Sequence, residues 1–445
     1  MMRFFIKYVQ DRICRGMIAG LLLCLSITTI AASSPEFIQI EKQSGSFQQS
    51  WNTQGTTISV VPFNCPVWGT CMEMPILHFS VQGLEDDGAG YTLGIAVNDR
   101  EYYFDSIDVK FPLPLTFSNG SILEYWFENE DGKVFAKNHF YFRLTILSQE
   151  TGFNRIELLG YQWQDSIPIY ALAWNIFPPL DASESGWEIH YESAAELATS
   201  NDLALLAGQL IWNGTVHAGT CSNGGLETNG AATPCGMDAA YTEVVNWQNA
   251  HDEEILLAAQ SARIPPKLIK GVIALESQFW PNWEIEDEYG LAMVTEDGVD
   301  MLLKWNRPYF YQKCTDLYDE KICARGYFKL YDDQIQHLIG YVLQDVGSDQ
   351  EYTLIAEILN AASMQAAQVV YNYTRKSTNA VTDFETLWRI TLGIYHAGCG
   401  CMGNAIEDAW KESRTTLTWQ SISKQLKGDC AGAKDYFDRV LLLSR

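Results

Sequence analysis

The chain has 445 residues, of which 47% are hydrophobic and 19% charged, a composition that excludes a disordered chain and implies two or three globular domains. Its formal charge of −25 repels nucleic-acid phosphates and anionic membrane surfaces, and no basic run overrides that repulsion, so no nucleic-acid partner is expected. Fourteen Trp, 22 Tyr and 20 Phe fit carbohydrate contact and equally the cores of β-sheet domains, where most of them are expected.

Residues 1–33 read as a secretory signal peptide. Arg3, Lys7, Arg12 and Arg15 precede an apolar run from Met17 to Ile30, and the small residues Ala31-Ala32-Ser33-Ser34 follow. The run is about fourteen residues, short of the ~20 that span a bilayer, so no transmembrane anchor is expected once the signal is cleaved. Its loss removes four basic groups and Asp11, taking the formal charge from −25 to −28. The implied location is secreted or cell-envelope, outside the cytoplasm. Nine of the eleven cysteines follow the signal, which fits an oxidising space. Their spacing invites the pairs Cys65 with Cys71, Cys221 with Cys235 and Cys314 with Cys323, while Cys399 or Cys401 reaches Cys430 and one thiol is left over. A metal site on Cys399-x-Cys401 lacks a second ligand pair at zinc spacing, and no histidine falls in a His-Glu-x-x-His pattern, so neither metal nor cofactor is expected.

Residues 36–150 are expected to form an all-β sandwich. Short alternating or apolar runs occupy 57–62, 76–81, 91–97, 102–109, 122–127 and 139–147, and Asp86-Asp87-Gly88, Ser118-Asn119-Gly120 and Glu130-Asp131-Gly132 mark turns between them. No catalytic constellation stands out there. Residues 151–215 form a bridging segment, with Trp163, Trp174 and Trp187 among Pro168, Pro178 and Pro179, room for one or two further strands, and a helical stretch over 193–211. A Gly/Asn/Thr-rich loop, 213–235, is restrained by its own cysteine pair.

Residues 216–445 form the second domain, mainly α, with helices over 237–263, 265–277, 297–305, 332–346, 352–374, 383–396 and 405–413. In the second of these, Pro265 and Pro266 suit a first turn, and Ile269, Val272 and Ile273 recur at the spacing of a buried face. Glu276 is the next position on that face. A carboxylate among aliphatic side chains loses hydration, which raises its pKa and suits it to donate a proton near neutrality. Phe279, Trp280 and Pro281 stop the helix and put ring surface beside it.

Glu276-Ser277-x-Phe279-x-Pro281 resembles the Glu-Ser-x-Phe-x-Pro signature of the soluble lytic transglycosylase and goose-type lysozyme superfamily. Tyr289-Gly290-Leu291-Ala292-Met293-Val294-Thr295 resembles its Gly-Leu-Met-Gln block, and Ile394-Tyr395-His396-Ala397-Gly398 its Ala-Tyr-Asn-Ala-Gly block, in the family's order. The resemblance covers roughly residues 236–410. It departs from the pattern at Met293, where the family has Gln, and at His396, where it has Asn.

The resemblance implies a lysozyme-like fold and an exported enzyme that cleaves peptidoglycan between N-acetylmuramic acid and N-acetylglucosamine. Glu276 acts first as acid and then as base, and a 1,6-anhydro sugar forms. It implies a substrate site made by Ser277, Phe279, Tyr289, Gly290, Leu291, Met293, Tyr395 and His396. Ser277 would help fix the carboxyl, Gly290 would let backbone approach the glycan, and Tyr395 would orient the acid or the sugar. Two alternatives stand beside this one. A lysozyme-type hydrolase would take Glu284, Glu286, Asp287 or Glu288 as base. A catalytically silent wall-binding or scaffold protein is favoured by Met293 and His396.

Overall fold

The computed structural model describes residues 49–445 apart from 54–55, 66–69, 83–89, 99, 107, 117–119, 149–152, 160–190, 192, 263 and 282–286. The expected signal peptide, the tryptophans and prolines of the bridging segment, and Glu284 and Glu286 lie outside the described residues. The chain divides near residue 180 into a β-rich unit and a helical unit.

The β-rich unit contains β1 (Gln49–Thr53), β2 (Thr56–Pro62), β3 (Thr70–Cys71), β4 (Ile76–Gln82), β5 (Tyr91–Val97), β6 (Arg100–Phe104), β7 (Asp108–Pro112), β8 (Ser121–Asn129), β9 (Val134–Ser148) and β10 (Phe153–Leu159). They form two antiparallel sheets, ordered β1-β2-β4-β7 and β3-β10-β9-β8-β5-β6. Alternate side chains of both sheets share one core, with the rings of Phe79 from the first and Tyr125 from the second edge to face at 5.4 Å. The single strand expected over 102–109 is two. Asp105 and Ser106 interrupt it, with Ser106 Oγ bonded to the backbone of Asp108, and the chain passes from one sheet to the other. The inward positions accordingly change from Tyr102 and Phe104 to Val109 and Phe111.

The helical unit contains α1 (Ala204–Trp212), α2 (Pro234–Asn249), α3 (Asp252–Ala262), α4 (Pro266–Glu276), α5 (Glu296–Trp305), α6 (Arg307–Leu317), α7 (Glu320–Cys323), α8 (Asp332–Val342), α9 (Glu351–Thr374), α10 (Phe384–Ser413), α11 (Trp419–Ser423) and α12 (Ala433–Leu443). The helix expected over 237–263 breaks between α2 and α3. Asn249 exchanges two hydrogen bonds of 2.8 Å with the Thr199 backbone, and the acidic triplet Asp252-Glu253-Glu254 opens a new helix at its positive end. The two helices expected over 383–396 and 405–413 are present as the two halves of α10, separated by a kink at Gly398, whose φ of 82° and ψ of 161° are not helical, so the second half begins earlier than expected. No helix among the described residues is long and apolar enough to cross a membrane.

Disulfides join Cys221 to Cys235 and Cys314 to Cys323 at the expected pairs. Cys430 pairs with Cys401, not Cys399. Two residues along a helix turn a side chain about 200° around its axis, and Cys401 is the one buried toward the C-terminal segment. Cys399 is disulfide-bonded as well, so it is not a spare thiol, and Cys65 is buried and disulfide-bonded. These bridges fit a chain that folds in an oxidising compartment.

Helix α4 lies at the centre of its unit, buried from Leu268 to Ala274 on every side, so its burial is wider than the single face that spacing picks out. That burial includes Lys270, whose ammonium donates to Asp252, to Asn249 Oδ1 at 2.6 Å and to the Leu197 carbonyl at 2.7 Å. All three donors are used, and the ion pair with Asp252 ties α4 to α3. Burial lowers the Lys270 pKa and raises that of Asp252, opposing the pairing that favours both charges. Lys270→Met leaves the Asp252 charge buried alone, and a loss of about 3–5 kcal/mol in denaturant unfolding is expected. Pairing it with Asp252→Leu is expected to recover most of that loss.

Candidate active site

The site begins where α4 stops. Glu276 is the last helical residue and Ser277 caps the helix. The next two residues, Gln278 (φ 50°) and Phe279 (φ 61°), both take the left-handed conformation, which costs side-chain-bearing residues energy and persists only where neighbours impose it. Three tethers do so here. Gln278 Oε1 accepts from the Leu205 and Leu206 N–H groups, which open α1, at 2.9 and 3.2 Å. The Phe279 carbonyl accepts from Trp247 Nε1 at 2.9 Å, and the Trp247 ring stacks on Trp280 with centroids 5.6 Å apart. The chain therefore reverses immediately after the carboxylate.

Glu276 is held from the far end of the sequence. The Tyr436 hydroxyl, on α12, donates to Glu276 Oε1. Helices α4 and α12 run antiparallel in close contact, since a Cβ on Gly271 would lie 2.4 Å from the Val440 carbonyl. Tyr436 also touches α10: its ring stacks on His396 with centroids 4.3 Å apart at 16°, and lies 6.4 Å from that of Tyr395.

The third component is a tight turn closed by two backbone bonds between Tyr289 and Val294, of 2.9 and 2.8 Å. Gly290 (φ 69°) and Met293 (φ 48°) give it its shape. Buried Glu351 pins it from below, accepting from Leu291 N at 2.7 Å. A Cβ on Gly290 would sit 2.1 Å from that same carboxylate oxygen. The glycine is thus required by Glu351 whatever approaches the turn from outside. Tyr395 joins the turn to α10 by donating its hydroxyl to the Ala292 carbonyl.

Four influences set the Glu276 proton affinity. Burial, the largest, raises its pKa, and the Glu288 charge adds to the rise; the Tyr436 hydrogen bond and the Arg439 charge lower it, with a net shift upward. Burial, then the Glu276 charge, raise both Tyr395 and Tyr436 well above an ordinary phenol, so each remains a donor. Desolvation against its neighbours, and then Arg439, lower the His396 pKa.

Of the residues singled out by sequence, Glu276, Tyr395, His396 and the 289–294 turn come together. Ser277 is buried and its hydroxyl donates back to the Ile273 carbonyl at 3.2 Å. Phe279 and Leu291 are core residues, Tyr289 is 38% exposed and Met293 is half-buried. Asp287 is exposed, and Glu288 is near enough for its charge to act on both Glu276 and Tyr395. Tyr436, Arg439, Trp247 and Glu351 escaped sequence reasoning. The signal for the first was present, because Ala433, Tyr436, Phe437 and Val440 recur at i, i+3, i+4 and i+7 and all are buried. Among the described residues no cluster of His, Cys, Asp and Glu could hold a metal ion.

No protein-family model, curated protein or solved structure matches the chain.

A raised carboxylate pKa in the folded state means that folding disfavours the ionised form. The fold then loses stability as pH rises from the ordinary glutamate range through the raised value. Glu276→Gln escapes that loss, so its thermal midpoint is expected to match wild type near pH 4 and to exceed it at pH 7 by about 2 °C or more. Equal midpoints at both pH values would contradict the desolvated carboxylate.

Proposed function

We propose that this chain is an exported lytic transglycosylase acting on peptidoglycan, with a lysozyme-like helical domain and an N-terminal β-sandwich. The observation that carries the reading is Glu276 itself. It is a desolvated carboxylate with raised pKa, one oxygen held by the hydroxyl of a tyrosine whose own pKa burial pushes well above an ordinary phenol, at the meeting point of the three segments whose motifs resemble that superfamily.

In the proposed reaction Glu276 arrives protonated and gives its proton to the oxygen bridging N-acetylmuramic acid and N-acetylglucosamine. The bond from the muramyl C1 to that oxygen breaks, and the acetamido group of the same ring stabilises the cation. The ionised Glu276 then takes the proton of the C6 hydroxyl, O6 closes on C1, and the acid is regenerated with no water consumed. Tyr436 occupies Oε1 throughout, which leaves the other carboxyl oxygen to carry the proton. Tyr395 fixes the turn beside the acid through the Ala292 carbonyl.

A second reading has one observation in its favour. The Glu288 charge reaches Glu276, so a hydrolase with Glu288 as base toward water is the alternative mechanism for the same site.

Mass analysis of peptidoglycan digested by the purified mature protein is expected to show anhydro-muropeptides, and none with Glu276→Gln. Reducing-end products that vanish in Glu288→Gln would replace the transglycosylase with the hydrolase, and binding to sacculi without cutting would overturn both. Tyr436→Phe removes a hydrogen bond that lowers the Glu276 pKa. A general acid must be protonated, so the alkaline limb of the pH–rate profile is expected to move to higher pH while kcat falls. An unmoved limb would show that Tyr436 does not hold the acid.

A further inference from the structure

Arg439 follows Tyr436 by nearly one turn of α12 and is exposed. Among the described residues it has no ion-pair or hydrogen-bond partner, whereas Arg389 on α10 holds both Glu385 and Asp438. Its charge nonetheless reaches Glu276, Tyr436 and His396. Gly432, Tyr436 and Arg439 are spaced i, i+4 and i+7 and so share one helical face. His396 lies over that face, flat on Tyr436 at 4.3 Å, with its Nε2 3.4 Å from where a side chain on Gly432 would begin. The imidazole is otherwise exposed. An unneutralised guanidinium and an open imidazole edge thus flank the phenol that grips the candidate acid. They do so in a chain with 55 acidic and only 30 basic side chains, where neutralising carboxylates are plentiful.

We propose that Arg439 and His396 form an anion subsite that receives a carboxylate borne by the muramyl residue of the glycan, an inference that rests on the reading of Glu276 given above. A guanidinium offers two parallel N–H donors to a carboxylate, and the imidazole N–H adds a third. Every muramyl ring carries a lactyl group, which presents a free carboxylate where the stem peptide has been removed and an amide where it remains. Chitin-type strands of N-acetylglucosamine carry neither. The subsite therefore makes the enzyme selective for carboxylate-bearing strands over neutral ones of the same length.

The test is calorimetric titration of the mature Glu276→Gln protein, which binds without cutting, with four tetrasaccharides. These are the peptide-free muramyl form, its lactyl methylamide, the peptide-bearing form and chitotetraose. The peptide-free form is expected to bind roughly tenfold more tightly than its methylamide. Arg439→Met is expected to erase that difference and leave chitotetraose affinity and the thermal midpoint unchanged, with Arg439→Lys intermediate. An equal Arg439-dependent gain for the peptide-bearing form supports the subsite and shows that a carboxylate of the stem peptide is received as well as the lactyl one. A loss in Arg439→Met that is the same for all four sugars, or no loss for any, overturns it. Wild-type protein that yields anhydro products while these titrations show no carboxylate preference sinks the subsite alone. Wild-type protein that neither binds nor cuts muramyl strands sinks the reading of Glu276 and the subsite with it.

Discussion

At the crossing of α4 and α12 a missing side chain sets the spacing. Gly271 lets the Val440 backbone approach until a Cβ would lie 2.4 Å from its carbonyl. Because the helices run antiparallel, Glu276 five residues along α4 and Tyr436 four residues back along α12 are brought into register. The hydrogen bond to the carboxylate, the stacking of His396 and the proximity of Arg439 all depend on that approach. On its other side α4 is fixed by Lys270, so a single buried helix is anchored between α3 and α12 with its polar end at the site.

The electrostatics of the site follow from that placement. Burial and the Glu288 charge raise the Glu276 pKa, while α12 supplies both opposing influences, Tyr436 and Arg439. The raising influences outweigh the lowering ones, so the carboxyl holds its proton more tightly than an ordinary glutamate, and Tyr436 and Arg439 limit that rise.

Much of this was legible in the sequence. The prolines and apolar spacing around 265–276 locate α4, and β5 coincides with its expected bounds. The split between β6 and β7 was not read from the sequence, because Tyr102, Tyr103 and Phe104 are all aromatic and only their burial shows which of them face inward. Inward residues lie at even positions through Phe104 and at odd ones from Val109, and a strand cannot change phase without a break. What spacing could not supply was partnership across distance. Nothing local in Tyr436 points to Glu276, 160 residues away, and nothing in Gly290 names Glu351 as the group that excludes a side chain there. The α2–α3 break is likewise a tertiary effect, because the side chain of Asn249, the last residue of α2, is bonded to the Thr199 backbone and to Lys270.

The position of α12 is set twice. The Cys401–Cys430 disulfide holds the segment leading into it against the half of α10 that follows Gly398, and the Gly271 contact holds its middle. Tyr436 lies between these two constraints, six residues after one and four before the other. The strained reversal at Gln278 and Phe279 performs the matching task on the other partner, since its tethers to α1 and Trp247 prevent α4 from running on past Glu276. A carboxylate fixed at a forced helix end and a hydroxyl fixed between a covalent bridge and a backbone contact have little freedom to separate. Their hydrogen bond is then imposed by the fold rather than gained at the cost of ordering two loose side chains.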